Sequence, residues 1–137
     1  MDTLSRSPEI NGATPPLGLS CTAFQVLHFY ENAQISDLAN VTYLRLEHSW
    51  FRVYFEAASV FWRCGEAPQV PTNSDLRSGL LLNDLSGDDR VVGQVLQAIE
   101  HISQEGSTVV VLRWSGGAVL RLVYSHNLDA ATFSVES

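Results

Sequence analysis

Alternation of apolar and polar side chains at a period of two, written out in two related stretches, is what most limits the folds open to this chain. Leu44 and Leu46 alternate with Arg45 and Glu47, and Phe51, Val53 and Phe55 alternate with Arg52, Tyr54 and Glu56. That spacing puts one set of side chains on each face of a strand. Residues 38–64 and 91–124 read as variations on this pattern. Glu47-His48 recurs as Glu100-His101, fifty-three positions on, while Val53-Tyr54-Phe55 and Val60-Phe61 recur as Leu112-Arg113-Trp114 and Val119-Leu120 at an offset of fifty-nine. The match predicts a duplicated supersecondary unit, with six extra residues between the first two strands of the second copy. A solenoid would need three or more repeats.

Val60 to Cys64 completes a third strand in the first copy. In the second, Thr108–Trp114 and Ala118–Tyr124 flank Ser115-Gly116-Gly117, which supplies the positive-φ positions of a tight hairpin. Val91–Ile102 satisfies both helical and strand periods, with Asp88 or Asp89 as a candidate N-cap; the repeat favours a strand from Gln94. Ala131–Val135 alternates again and can close the sheet. Residues 19–32 also fit two periods. A helix capped by Ser20 or Thr22 is favoured over a strand lined by Phe24, Val26, His28 and Tyr30. The expected fold is therefore α+β: mainly antiparallel sheet from two related three-stranded units, with a short N-terminal helix. Residues 1–16, rich in Pro and hydroxyl side chains, read as a flexible tail, and 17–137 as one globular domain. Residues 65–89 read as a connector between the units, with Leu80-Leu81-Leu82 folded back onto the core.

The formal charge of −7 and pI near 4.9 disfavour nucleic-acid phosphate and favour a basic partner. All basic residues are Arg, so lysine-based covalent chemistry is excluded. No apolar run approaches the roughly 20 residues that span a bilayer, and the N-terminus lacks the pattern of a secretion signal. A cytoplasmic protein without membrane association is expected. Cys21 and Cys64 make a weak case for a disulfide and read as buried thiols.

Catalytic and metal signatures are sparse. A carboxylate beside an imidazole is the minimal unit of general-base and metal-ligand chemistry, so Glu47-His48 and Glu100-His101 are the first candidates, with the two histidines brought close by a two-fold relation between the copies. Neighbours on a strand face opposite ways, however, and the convergent ligands of a metal site are missing. Asp84, Asp88 and Asp89 depart from calcium-loop spacing and read as a solvated acidic loop. No catalytic residue, metal or cofactor is assigned. The candidate partner-binding residues are Arg52, Tyr54, Phe61 and Arg63, which alternate onto one strand face, together with Asp84, Asp88 and Asp89. An ordinary sheet with one wet face is the favoured reading of the first four, ahead of a binding face.

Val92-Gly93, Val95 and Ile99, then Leu112-Arg113-Trp114-Ser115 with Gly116-Gly117, Leu120 and Leu122, and a closing Thr132-Phe133-Ser134-Val135 resemble a pattern in small β-rich bacterial proteins, some of them immunity proteins of toxin systems. The resemblance covers about a third of the chain, and the first copy departs from it with Ala57-Ala58 in place of the glycines. It implies a non-enzymatic protein that blocks a protein partner, such as a basic toxin or enzyme, through an acidic and aromatic surface. The alternative is a small-ligand or enzymatic domain with a pocket between the two units, lined by Trp50, Trp62, Trp114 and the histidines. Self-association through a strand edge is a third expectation.

Overall fold

In the computed structural model, residues 7–32, 34–71 and 78–137 are described, Ser78 by its backbone alone. They form ten strands and no helix: β1 (Ile10–Asn11), β2 (Cys21–Glu31), β3 (Gln34–Leu46), β4 (Ser49–Glu56), β5 (Ser59–Gly65), β6 (Ser78–Asp84), β7 (Leu96–Gln104), β8 (Ser107–Trp114), β9 (Val119–Ser125) and β10 (Ala130–Glu136). One sheet runs β1-β5-β4-β3-β2-β6 and the other β10-β9-β8-β7. Every pairing is antiparallel except β1 on β5. Residues that alternate inward from both sheets fill one interior, including Phe24, Leu44, Val53 and Trp62 from the first and Leu96, Leu112, Trp114 and Leu122 from the second. Burying a side chain of this size contributes about 1.5–3 kcal/mol, so the facing layers are the main source of stability. At one corner the sheets are stitched by backbone bonds: Gly18 N–H donates to the Leu96 carbonyl, and Cys21 N–H to that of Gln94, both at 2.8 Å.

The α+β expectation is overturned. Residues 19–32 hold the whole of β2 and no helix, because β3 pairs with one side of that strand and β6 with the other. Phe24, Val26 and His28 alternate into the interior at 0, 0 and 3 % exposure. Two ladders satisfy the backbone of a segment whose own pattern was ambiguous, and tertiary pairing decides such cases. The N-cap reading of Asp88 yields a single turn. Val92 N–H donates to the Asp88 carbonyl at 2.9 Å, after which Gly93, at φ 93°, turns its N–H onto the Cys21 carbonyl.

Each three-stranded unit is a meander, β3–β5 in the first sheet and β7–β9 in the second. The Glu-His correspondence between them is a coincidence of spelling. Glu47-His48 is the turn between β3 and β4, whereas Glu100-His101 lies within β7, whose turn to β8 is Glu105-Gly106. Aligned by hairpins, the units keep one offset of about fifty-eight or fifty-nine, and the six extra residues disappear. The connector also contains structure: Leu80–Leu82 belong to edge strand β6, with Leu81 half exposed. Within the segment read as a tail, Ile10–Asn11 form β1 and Pro15 is buried. Both cysteines are free. Cys21 is buried, and desolvation pushes its thiol up to about 11, whereas Cys64 is exposed.

Candidate functional site

Cross-strand partners share a face. The register therefore lays a row of polar side chains across the outside of the first sheet: Asp84 on β6, Gln25 on β2, Tyr43 on β3, Arg52 on β4 and Arg63 on β5. Beside it, Tyr54 pairs with Phe61, their rings stacked at 5.3 Å and 11°. Four of the predicted residues, Arg52, Tyr54, Phe61 and Arg63, are thus brought together on adjacent strands, each partly exposed. Arg52 and Arg63 face one another directly, an unfavourable like-charge pairing unless one turns aside. Arg63 does so. Its guanidinium lies 5.4 Å from the Phe61 ring centre and donates to the Asn11 carbonyl at 3.1 Å and to Asn11 Oδ1 at 2.8 Å.

Arg52 makes no hydrogen bond or ion pair with any described residue. It opens onto a hollow of about 280 Å³ lined by Tyr43, Glu66, Ala67 and Gln69. Burial raises the Tyr43 hydroxyl above its ordinary pKa, with nearby Arg52 opposing and Glu66 reinforcing the shift. The hollow thus holds one unpaired cation, a protonated phenol and a carboxylate. Residues 66–71 leave β5 across this face, and Pro68, Val70 and Pro71 border a second hollow of about 430 Å³ with Leu80 and Leu82 of β6. Tyr43, Glu66 and Gln69 escape sequence reading because strand register places the first beside Arg52 and the path of residues 66–71 places the other two.

The three predicted aspartates do not form one cluster on this face. Asp84 ends the polar row, its carboxyl held below the usual range by hydrogen bonds from Ser86. Asp88 is committed to Arg90 at 2.7 Å, a contact that lowers its pKa. Asp89 lines a different hollow of about 240 Å³, with Arg90, Gln94 and Gly116.

Buried and half-buried polar groups elsewhere bond across and within the sheets. Trp62 Nε1–H donates to His101 Nε2 at 2.9 Å, which requires a neutral imidazole with its proton on Nδ1. His48, by contrast, is exposed in its turn. Thr108 donates its single hydroxyl proton to the Ala58 carbonyl at 3.1 Å, so His126 Nε2–H must be the donor in their 2.7 Å contact. Tyr124 bonds Asp129, and burial first, then that carboxylate, pushes its phenol up to about 12. Asp37 accepts from Ala131 N–H at 2.9 Å and ties β3 to β10; burial chiefly raises its pKa. Trp62 and Trp114, each 1 % exposed, are core side chains and line no open cleft. Among the described residues no three or more His, Cys, Asp or Glu converge as a metal site would require.

His101 makes stability depend on pH. Burial lowers its pKa below 6.5, so as pH falls the unfolded chain takes up a proton before the folded one does. The stability present above pH 6.5 is lost as pH descends through that value to the lowered folded one. His101→Gln should remove this component. Urea midpoints measured between about pH 7 and about pH 5 should fall more steeply for the wild type than for the variant, and parallel curves would refute the assignment.

No described helix is long and apolar enough to cross a membrane. Searches of family models, curated proteins and solved structures find no match to this chain.

Proposed function

We propose that this chain is a non-enzymatic binding protein of the immunity or inhibitor kind, which occupies a basic protein partner with the outer face of its six-stranded sheet. The observation that carries the reading is Arg52, a guanidinium without a partner among the described residues, set between the polar hollow and the Tyr54–Phe61 stack. Arg and Tyr are enriched at interface hot spots, Arg for its planar fork of charged donors and Tyr because a rigid, amphipathic ring loses little entropy when it is buried. The net charge of −7 supplies long-range attraction toward a basic partner, while Arg52 offers a local site for a carboxylate or carbonyl on it. Trp62, His101, Thr108 and Asp37 are engaged in hydrogen bonds between the sheets, whereas Arg52 on this face has no such partner among the described residues.

The test is affinity capture from the native host at low and high salt, followed by titration of the purified partner. Retention should weaken with salt. The double variant Arg52→Ala, Tyr54→Ala should bind the partner at least about tenfold more weakly with an unchanged urea midpoint. Equal affinity of variant and wild type would remove this face from the interaction.

A further inference from the structure

We propose that the outer edge of β5 is a strand-addition site for an extended partner segment bearing an asparagine, and that residues 9–12 of this chain occupy it as an exchangeable latch. β5 is the last full-length strand on its side of the sheet, and β1 covers only two of its seven residues, pairing Ile10 with Val60 and Asn11 with Phe61 in parallel. Uncovered strand edges are templates for another strand. The latch is held by polar contacts: Val60 N–H donates to the Glu9 carbonyl at 2.9 Å, Ser59 Oγ to Glu9 Oε1 at 3.0 Å, and Arg63 to both the carbonyl and the side-chain oxygen of Asn11. Ile10, its one large apolar side chain, is 36 % exposed. Few apolar contacts and solvent-exposed hydrogen bonds describe a segment that opens locally while the rest of the fold stays closed.

Gly12 is pressed against the edge at Trp62, and there the latch turns away. The glycine has φ +94°, and a Cβ there would stand 2.1 Å from the Trp62 carbonyl oxygen and 2.7 Å from Arg63 Nη1. Beyond Trp62 no described strand pairs with the outer edge of β5, which is left to any strand that continues straight. The Trp62 carbonyl already accepts from Arg63 Nη1 at 2.7 Å, so a partner segment that presents asparagine to Arg63 and stays extended could reproduce the latch's bonds and add ladder bonds along Cys64–Gly65. Arg63 is the reader in this arrangement, because its two nitrogens reach backbone and side chain of the same residue.

The probe is a synthetic peptide, SPEINVTV, which copies residues 7–11 and continues with strand formers. It is titrated against the full chain by fluorescence anisotropy. Gly12→Val evicts the latch and should raise peptide affinity about tenfold or more, because apparent affinity scales with the population of the open edge. Arg63→Ala in the Gly12→Val background, or Asn→Ala in the peptide, should abolish saturable binding. A sedimentation coefficient and circular dichroism spectrum matching wild type verify that Gly12→Val leaves the fold intact. Unchanged affinity in Gly12→Val, or binding indifferent to Arg63, would overturn the proposal. So would peptide-independent dimers of wild type that vanish in Gly12→Val, because the edge would then serve a second copy. These readouts involve neither Arg52 nor the protein partner, so the face and the edge can fail separately.

Discussion

Replacing Trp62 with alanine will lower the unfolding free energy by about 3–5 kcal/mol, as expected for deleting a buried indole from a core that collapses only partly around the hole. The side chain is 1 % exposed and stands edge-on to His101 at 6.3 Å and 84°. It fills the space between the sheets and gives the half-buried imidazole its hydrogen bond. Two contributions can be separated with phenylalanine. Trp62→Phe keeps much of the apolar volume but leaves His101 Nε2 without its donor, which adds about 1–3 kcal/mol to the packing loss. Trp114 is the control, equally buried, but with an indole N–H that has no hydrogen-bond partner among the described residues. Trp114→Phe discards an unsatisfied donor, so it should cost less than Trp62→Phe in urea denaturation. Equal losses at the two positions would mean that the bond to His101 contributes nothing net.

Phe24→Ala should cost a similar amount, about 3–5 kcal/mol. Phe24 is completely buried on β2 and meets Phe133 of β10 edge-to-face, with ring centres 6.1 Å apart and planes at 82°. It fastens the first sheet to the second along a seam where Asp37 also bonds Ala131. A double-mutant cycle of Phe24→Ala and Phe133→Ala should return a coupling of about 0.5–1.5 kcal/mol. Gln25→Ala, one residue along and on the outer face, should change stability by no more than about 0.5 kcal/mol. Successive side chains of a strand point to opposite faces. Comparable losses at 24 and 25 would therefore contradict the strand.

The strands that could be read from the sequence are those whose two faces differ. On β4, Phe51 and Val53 are buried while Arg52 and Tyr54 between them are partly exposed, so composition alone reveals the period. The Ser115–Gly117 hairpin was legible for a related reason, since Gly117 has the positive φ that the turn chemistry implies. β2 was not legible. It is bulged, and Leu27 and His28 are buried on opposite faces, so the period blurs and a helix fits as well. Central strand β8 buries Val109 and Val111 on one face and Val110 and Leu112 on the other. Its apolar run announces a strand without saying which face meets the opposing sheet.

The candidate site divides along the same line. That Arg52, Tyr54, Phe61 and Arg63 share a face follows from parity along two neighbouring strands. The rest depends on which strand lies beside which, and at what register.

By itself the sequence determined the antiparallel meanders, their principal turns and the outward set of arginines and aromatics, because these depend on contacts between residues close along the chain. Tertiary structure alone decided that β2 is a strand, that β6 joins it, that His101 meets Trp62 and that Asn11 meets Arg63. Those pairings span gaps of 39 and 52 residues. Contacts at such separations form only when both partners have a folded surface to present, and no local pattern encodes them.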